Sequence, residues 1–237
     1  MAVILENRRV EEGWYELSLS GVPGGAPGQF LMLRAPGVLD PLLGRPISIF
    51  DFDAREGATK LLYQVVGHGT QLFSTLKPDQ EIDVTGPHGN GFPLPENDAV
   101  LIGGGVGIAP MYLLAKELRE REPQRRITIH LGFRERPVLE ETFAEIADEI
   151  IVNVGGYVTD GVDFSQSATY FACGPTPMME AAARLARRTG ARLYVSLEKR
   201  MACGVGACYA CTCATRSGNK RACKDGPVFP AQEVFYE

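Results

Sequence analysis

Four cysteines near the end of the chain constrain its fold more than any other feature. Cys203, Cys208, Cys211 and Cys223 are spaced C-x4-C-x2-C-x11-C, a pattern that wraps four thiolates round the two irons of a [2Fe–2S] cluster. Four sulfurs converge only if the backbone curls tightly. Gly204 and Gly206 allow that curl, and small Ala202, Ala207 and Ala210 leave room for an inorganic core. A zinc site more often shows two C-x2-C pairs, and only one gap here has that length. Structural disulfides fit poorly, because five of the six cysteines crowd into one stretch and no secretory leader is expected before them. Cys213 is a fifth sulfur, two residues beyond Cys211. On an extended segment it would point the same way and compete as a ligand; as a small buried residue it would need no metal. Cys173 lies far off.

A chain of 237 residues accommodates two domains plus a small appendage. A net charge of −5 argues against a nucleic-acid partner. The longest uncharged run, Ala99 to Ala115, is broken by glycines and Pro110, so it reads as strand, turn and helix and not as a membrane span. A cytoplasmic protein with no membrane partner is expected.

Two architectures follow one another along the chain. Up to residue 96, short strands alternate with Gly/Pro turns at barrel-like spacing: Trp14–Leu19, Gln29–Arg34, Ile47–Phe52, Lys60–Val66 and Glu81–Thr85. One helix, Thr70–Leu76, interrupts them. From 97 to 196, the buried run Ala99–Ile102, a helix from Pro110 to Glu122, the strand Ile127–Phe133, the strand Tyr170–Cys173, the helix Thr176–Thr189 and the strand Arg192–Ser196 alternate as βαβ units do. Residues 197–237 form the cysteine segment. The expected fold is therefore β plus α/β: an antiparallel β-barrel, a doubly wound parallel sheet and a small C-terminal [2Fe–2S] segment.

Within the barrel, Arg45-Pro46-Ile47-Ser48 opens a strand and Gly67-His-Gly69-Thr70 opens a helix. Glycine-freed N–H groups with an arginine fork suit a phosphate, although such residues also form plain turns. Gly103-Gly104-Gly105-Val-Gly107 lies between a buried strand and a helix, where a pyrophosphate can sit. The same glycines also serve close strand–helix packing. Cys173-Gly174-Pro175 repeats the arrangement at another strand end. His68, His88 and His130 are scattered, without metal spacing, and no catalytic residue is nominated.

Together these motifs resemble the ferredoxin–NADP reductase superfamily. Gly86-Pro-His-Gly-Asn-Gly-Phe92, Met201–Cys211 and Cys223-Lys-Asp-Gly-Pro-Val-Phe229 narrow the resemblance to the electron-transfer subunits of class 1B dihydroorotate dehydrogenase. The resemblance implies FAD held by Arg45, Pro46, Ile47, Ser48, Leu62, Tyr63, Gln64, Gly69 and Thr70. It implies a [2Fe–2S] cluster on Cys203, Cys208, Cys211 and Cys223. A pyridine nucleotide, NAD as co-substrate, would lie near Gly103, Gly104, Gly105, Gly107, Cys173, Gly174 and Pro175. An FMN-containing catalytic subunit would be the partner, in a heterotetramer with two of each. Electrons would run from FMN to cluster to FAD to NAD⁺, in pyrimidine synthesis. Ile47 stands where many reductases carry an aromatic residue. The stretch Ile151–Tyr157 lacks a Thr-Asp-Asp-Gly-Ser-like loop thought to help hold the nucleotide. The alternatives are a small subunit of a ferredoxin:NADP⁺ or sulfide-linked oxidoreductase on the same fold, and a non-enzymatic redox module. Tyr209, Val228 and Phe229, rimmed by Lys199, Arg200 and Lys224, are expected to form the docking face.

Overall fold

The structure, a computed structural model, describes residues 1–37 and 40–236. Six strands close a barrel: β1 (Ala2–Glu11), β2 (Trp14–Ser20), β3 (Phe30–Arg34), β4 (Arg45–Asp53), β5 (Ala58–Gln64) and β6 (Glu81–His88), in the order β1-β2-β5-β4-β3-β6. Every barrel pairing with a given register is antiparallel. Leu17, Leu19, Leu31, Leu33, Ile49 and Leu61 fill the interior, as alternation along a closed sheet requires. The short helix α1 (His68–Phe73) follows β5, and its Phe73 packs into the same core.

The second unit runs β7 (Asp98–Gly104), α2 (Ile108–Arg121), β8 (Ile127–Phe133), α3 (Glu140–Ala144), β9 (Glu149–Val154), β10 (Ala168–Cys173), α4 (Thr176–Thr189) and β11 (Arg192–Ser196). Along β7, Ala99 and Leu101 enter one core with α2, while Val100 and Ile102 enter another with α4. A strand buried on both faces must be apolar throughout, so the uninterrupted Ala99–Ile102 run belongs in the middle of a doubly wound sheet. The observed order is β14-β11-β10-β7-β8-β9, where β14 is Val228–Pro230.

The outer member of that sheet comes from the cysteine segment. After β12 (Thr212–Thr215) and β13 (Gly218–Arg221), which form a hairpin, the chain returns as β14 (Val228–Pro230), antiparallel to β11, and ends with α5 (Ala231–Val234). Val228 and Phe229, expected at an exposed docking face, are therefore buried: Val228 joins the α2 side and Phe229 the α4 side. Pairing with β11 carries them inward.

Helix α2 is shared between the two units. Leu114 and Leu118 pack beneath the sheet, whereas Leu113 belongs to the barrel core. Tyr112 stacks on Phe50 of β4 at 4.5 Å, and Lys116 Nζ reaches Asp51 Oδ1 at 2.5 Å. A second joint holds the cysteine segment. Asn90 Nδ2 donates to Val228 O at 2.9 Å, and Asn90 Oδ1 accepts from Val228 N at 3.0 Å. Phe30 and Met32 of β3 pack directly on Met201, Cys211, Ala222 and Cys223. Among the described residues no helix is long and apolar enough to cross a membrane.

His130, in the middle of β8, is buried, and its Nδ1 has no partner among the described residues. Burial holds its imidazole below the ordinary 6.5. The folded chain thus resists a proton that the unfolded chain accepts. Stability from neutral His130 is full above that ordinary value and falls as the pH drops through it toward the lowered folded one. His130→Leu should flatten the decline in thermal midpoint between about pH 7 and about pH 5. Parallel declines in the two proteins would show that His130 does not contribute.

Candidate functional site

The four cysteines lie in the segment between β11 and β14. Gly204 and Gly206 both take left-handed φ values, 70° and 80°. A Cβ on Gly204 would come within 2.7 Å of Met32 Cγ, and one on Gly206 within 2.7 Å of Lys224 Cδ. The loop is thus squeezed between the barrel and the stem of Lys224. Its thiols fall into two pairs. Cys203 and Cys208 are neighbours on the solvent side. Cys211 and Cys223 are buried neighbours, and the Cys223 N–H donates to Cys211 Sγ at 3.4 Å.

Main-chain N–H groups of Cys208, Val205 and Ala207 point at the Cys203 sulfur and bring its pKa down to about 6, the bond from Cys208 being the largest cause. Burial pushes the Cys223 thiol up, and the neighbouring Cys211 adds to the rise. N–H donors aimed at sulfur favour the thiolate. Among the described residues no three His, Cys, Asp or Glu side chains gather as they would round one metal ion. Paired thiols with inward N–H groups fit the two irons of a [2Fe–2S] cluster. Cys213 turns away: it lies in the α4-side core with Leu197 and Phe229, and its Sγ faces Lys220 O at 3.5 Å.

The barrel strip Arg45–Ser48 occupies the half-exposed start of β4. Arg45 Nη1 donates to Leu43 O at 2.7 Å. A Cβ on Gly69 would meet Arg45 Nε at 2.7 Å, so glycine there is what allows the guanidinium to lie across the start of α1. Thr70 Oγ1 accepts from the N–H groups of Val66 (3.0 Å) and Gly67 (3.2 Å), so this side chain fixes the turn. This cradle, with its fixed guanidinium fork, fits a flavin pyrophosphate. Leu62 and Tyr63 are buried side chains, and Tyr63 Oη donates to Asn7 Oδ1 at 3.1 Å. Of Leu62, Tyr63 and Gln64, only Gln64 has a half-exposed side chain.

At the end of the sheet, β7 and β10 are parallel neighbours with Gly103 opposite Cys173. Their loops are packed to contact. A Cβ on Gly107 would fall 2.2 Å from Cys173 O, one on Gly174 2.8 Å from Gly104 O, and one on Gly104 2.5 Å from Met178 Sδ. Close packing therefore already requires glycine at 104, 107 and 174. Gly105 differs: its φ is 54° and open space lies above it. Cys173 is buried and its thiol pKa is raised by that burial. The short turn after β9 is closed by Gly156 N donating to Asn153 Oδ1 at 3.0 Å.

Two residues that sequence reasoning missed connect these regions. Met32 is the register partner of Pro46 and also packs against Cys211 and Cys223. His88, at the end of β6, is hydrogen-bonded to Thr85 Oγ1 at 2.9 Å and tilts against Phe30. Its ring borders the space beside Gly204. The Gly86–Phe92 motif was the available signal, since it marks a segment held against something distant.

Residues 198–235 match the iron-sulfur cluster binding domain of dihydroorotate dehydrogenase B. The chain is 39% identical over 241 residues to the dihydroorotate dehydrogenase B (NAD(+)) electron transfer subunit of Clostridium acetobutylicum, covering 98% of this chain and 95% of that one. It is 38% identical over 252 residues to the same subunit of Geobacillus kaustophilus, covering 98% and 96%. Among solved structures, a chain of the NADH-dependent reduced ferredoxin-NADP oxidoreductase superposes with a TM-score of 0.88 at 32% identity, over 99% of this chain and 89% of that one. Phthalate dioxygenase reductase shares the fold, with a TM-score of 0.69 at 17% identity, over 92% and 86%.

Single Cys→Ser substitutions at 203, 208, 211 and 223 should each remove the visible cluster spectrum, whereas Cys213→Ser should keep it. A spectrum surviving in Cys211→Ser and lost in Cys213→Ser would reverse the ligand assignment. Arg45→Ala should purify with its flavin content reduced about tenfold or more, as loss of a charge-assisted fork implies, while iron content is retained. Undiminished flavin would leave Arg45 as a turn residue.

Proposed function

The chain belongs to the family of dihydroorotate dehydrogenase B (NAD(+)) electron transfer subunits, and from that premise we propose the route its electrons take. They arrive from an FMN-containing catalytic subunit, pass a cluster on Cys203, Cys208, Cys211 and Cys223, and leave through FAD on the barrel to NAD⁺. A [2Fe–2S] cluster supplies one-electron steps and a flavin gathers two electrons for hydride delivery to a nicotinamide. The chain's residues set where those groups sit. Arg45 and Gly69 hold the flavin phosphates, Pro46–Ser48 line its ring, and the strand ends at Gly105 and Pro175 receive the nucleotide.

One observation carries the proposal. Met32 pairs with Pro46 in the barrel and packs against Cys211 and Cys223. The iron motif and the flavin motif, far apart in sequence, therefore meet through one barrel strand, β3. Electron relay needs that proximity; separate roles for the two motifs would not. The functional division 1–96, 97–196 and 197–237, a heterotetramer with two copies of each subunit, a role in pyrimidine synthesis and a cytoplasmic location belong to the same proposal. A second reading, a small subunit of an NADH-dependent ferredoxin-NADP oxidoreductase, draws on the 32% identity to that structure. The partner distinguishes the two.

Exposed Val205 and Tyr209, at 55% and 63% of full exposure, lie on the cysteine loop, with Lys199, Arg200 and Lys224 exposed around it. This is the face we assign to the catalytic subunit. The two subunits together should oxidise dihydroorotate with NAD⁺, and this chain alone should not. Arg200→Glu should weaken assembly about tenfold at low salt, with NADH-driven reduction of an artificial acceptor by the isolated subunit unchanged. Turnover of dihydroorotate by the isolated chain would end the relay reading; normal assembly of the Arg200 variant would move the docking face elsewhere.

A further inference from the structure

Arg221, the last residue of β13, touches every stretch that carries a cysteine of the proposed cluster. Its guanidinium is forked onto Asp225, with Nε to Oδ2 at 2.9 Å and Nη2 to Oδ1 at 3.1 Å. The Arg221 main-chain N–H also donates to Asp225 Oδ2, at 2.8 Å. Nη1 crosses to the carbonyl oxygen of Gly206 at 3.1 Å. Cζ sits 5.2 Å from the centroid of the Tyr209 ring. Gly206 lies between Cys203 and Cys208, Tyr209 follows Cys208, and Asp225 is two residues past Cys223. Ala222, the next residue, donates its N–H to Cys211 O at 3.1 Å.

These contacts do two things. The first is mechanical. Tyr209 takes a left-handed φ of 59°, a conformation an aromatic residue rarely adopts. Its ring is largely exposed, and the guanidinium lies over it. A planar fork can hold a carboxylate, a carbonyl and a ring together, and a lysine ammonium cannot. The second is electrostatic. The carbonyl that Arg221 holds belongs to the Gly206–Ala207 peptide, in the loop between Cys203 and Cys208, and the N–H of that same peptide faces the Cys203 sulfur. A cation on the carbonyl end polarises the amide and strengthens its pull on the sulfur. Hydrogen bonds to the sulfurs and nearby charge are levers on a cluster's reduction potential.

We propose that Arg221 is a positioning residue of the electron-transfer centre: it clamps the three cysteine-bearing stretches together, and its fixed charge, acting through the Gly206–Ala207 peptide, makes the cluster easier to reduce. Reduction adds one electron and no proton, so a permanent cation beside the sulfurs favours the reduced form. The proposal rests on the assignment of the cluster to Cys203, Cys208, Cys211 and Cys223.

The test uses the iron-loaded, flavin-loaded protein with Arg221→Gln, Arg221→Lys and Asp225→Asn. Three quantities are read: cluster content from iron and sulfide, the potential from a dye-mediated titration followed by electron paramagnetic resonance, and the rate of iron loss to a chelator. Arg221→Gln should lower the reduced-to-oxidised ratio at a fixed potential about tenfold, a shift of about 59 mV for one electron. Arg221→Lys, which keeps the charge, should show a clearly smaller shift but lose iron several-fold faster. Asp225→Asn should also lose iron faster, without any lowering of the potential. A wild-type potential in Arg221→Gln overturns the tuning role, as does an equal fall in all three variants, which would reflect loosening alone. Unchanged iron loss in both Arg221→Lys and Asp225→Asn overturns the clamp. If Arg221→Gln does not retain its cluster, Asp225→Asn decides, because a lowered potential there contradicts the proposal. Wild-type protein without a [2Fe–2S] signal would instead overturn the cysteine assignment and leave the role of Arg221 with nothing to act on.

Discussion

A side-chain amide fixes the arrangement on which the rest of the molecule depends. Asn90, in the connection leaving the barrel, bonds both the N–H and the C=O of Val228, and its own N–H donates to Gly226 O at 2.6 Å. It thereby does for β14 what a neighbouring strand would do, satisfying backbone groups that burial would otherwise leave unpaired. Val228 opens the strand that joins the sheet, and Cys223 lies five residues before it. The barrel, the sheet and the cysteine loop therefore converge on one residue pair. The cysteine segment is too short to build a core of its own; it borrows Phe30 and Met32 from the barrel and Val195 from the sheet.

The cysteine loop shows why glycine is needed in particular places. With Gly204 and Gly206 in left-handed conformations, successive N–H groups turn inward toward sulfur. Such a concave run of amides places partial positive charge where thiolates collect. Alanine at either position would be strained and would also collide, with Met32 at 204 and with the stem of Lys224 at 206.

Much of this was legible in the sequence because the signals were local. The cysteine spacing, the uninterrupted Ala99–Ile102 run and the barrel-like strand spacing each state their own geometry. What escaped depended on partners distant in the chain. Val228 and Phe229 read as exposed neighbours of the cluster, because three residues beside a Gly-Pro carry no strand period; only pairing with β11 makes them core. Cys213, which reads either as a competing ligand or as a small buried residue, is the buried residue: Cys211 lies inside the Tyr209–Thr212 turn, and Cys213 enters a different core. Gly104 and Gly107 read either as room for a ligand or as close packing, and only the folded neighbours, Met178 at 104 and Cys173 O at 107, show the packing. Met32, an ordinary barrel residue in the sequence, becomes notable only once Pro46 and the cysteines flank it.

Helix α2 contributes Leu113 to one core and Leu114 and Leu118 to the other, with Tyr112 on Phe50 and Lys116 on Asp51. The boundary that composition suggests, between residues 96 and 97, is therefore not a boundary in packing. Recombination among related reductases that swapped the nucleotide half at that point would separate a helix from the barrel surface shaped to receive it. A viable exchange must carry the Phe50–Phe52 strand end together with the Tyr112–Lys116 turn. The inheritable module in this fold is thus the barrel plus its wedge helix, and the sequence order of the two halves conceals it.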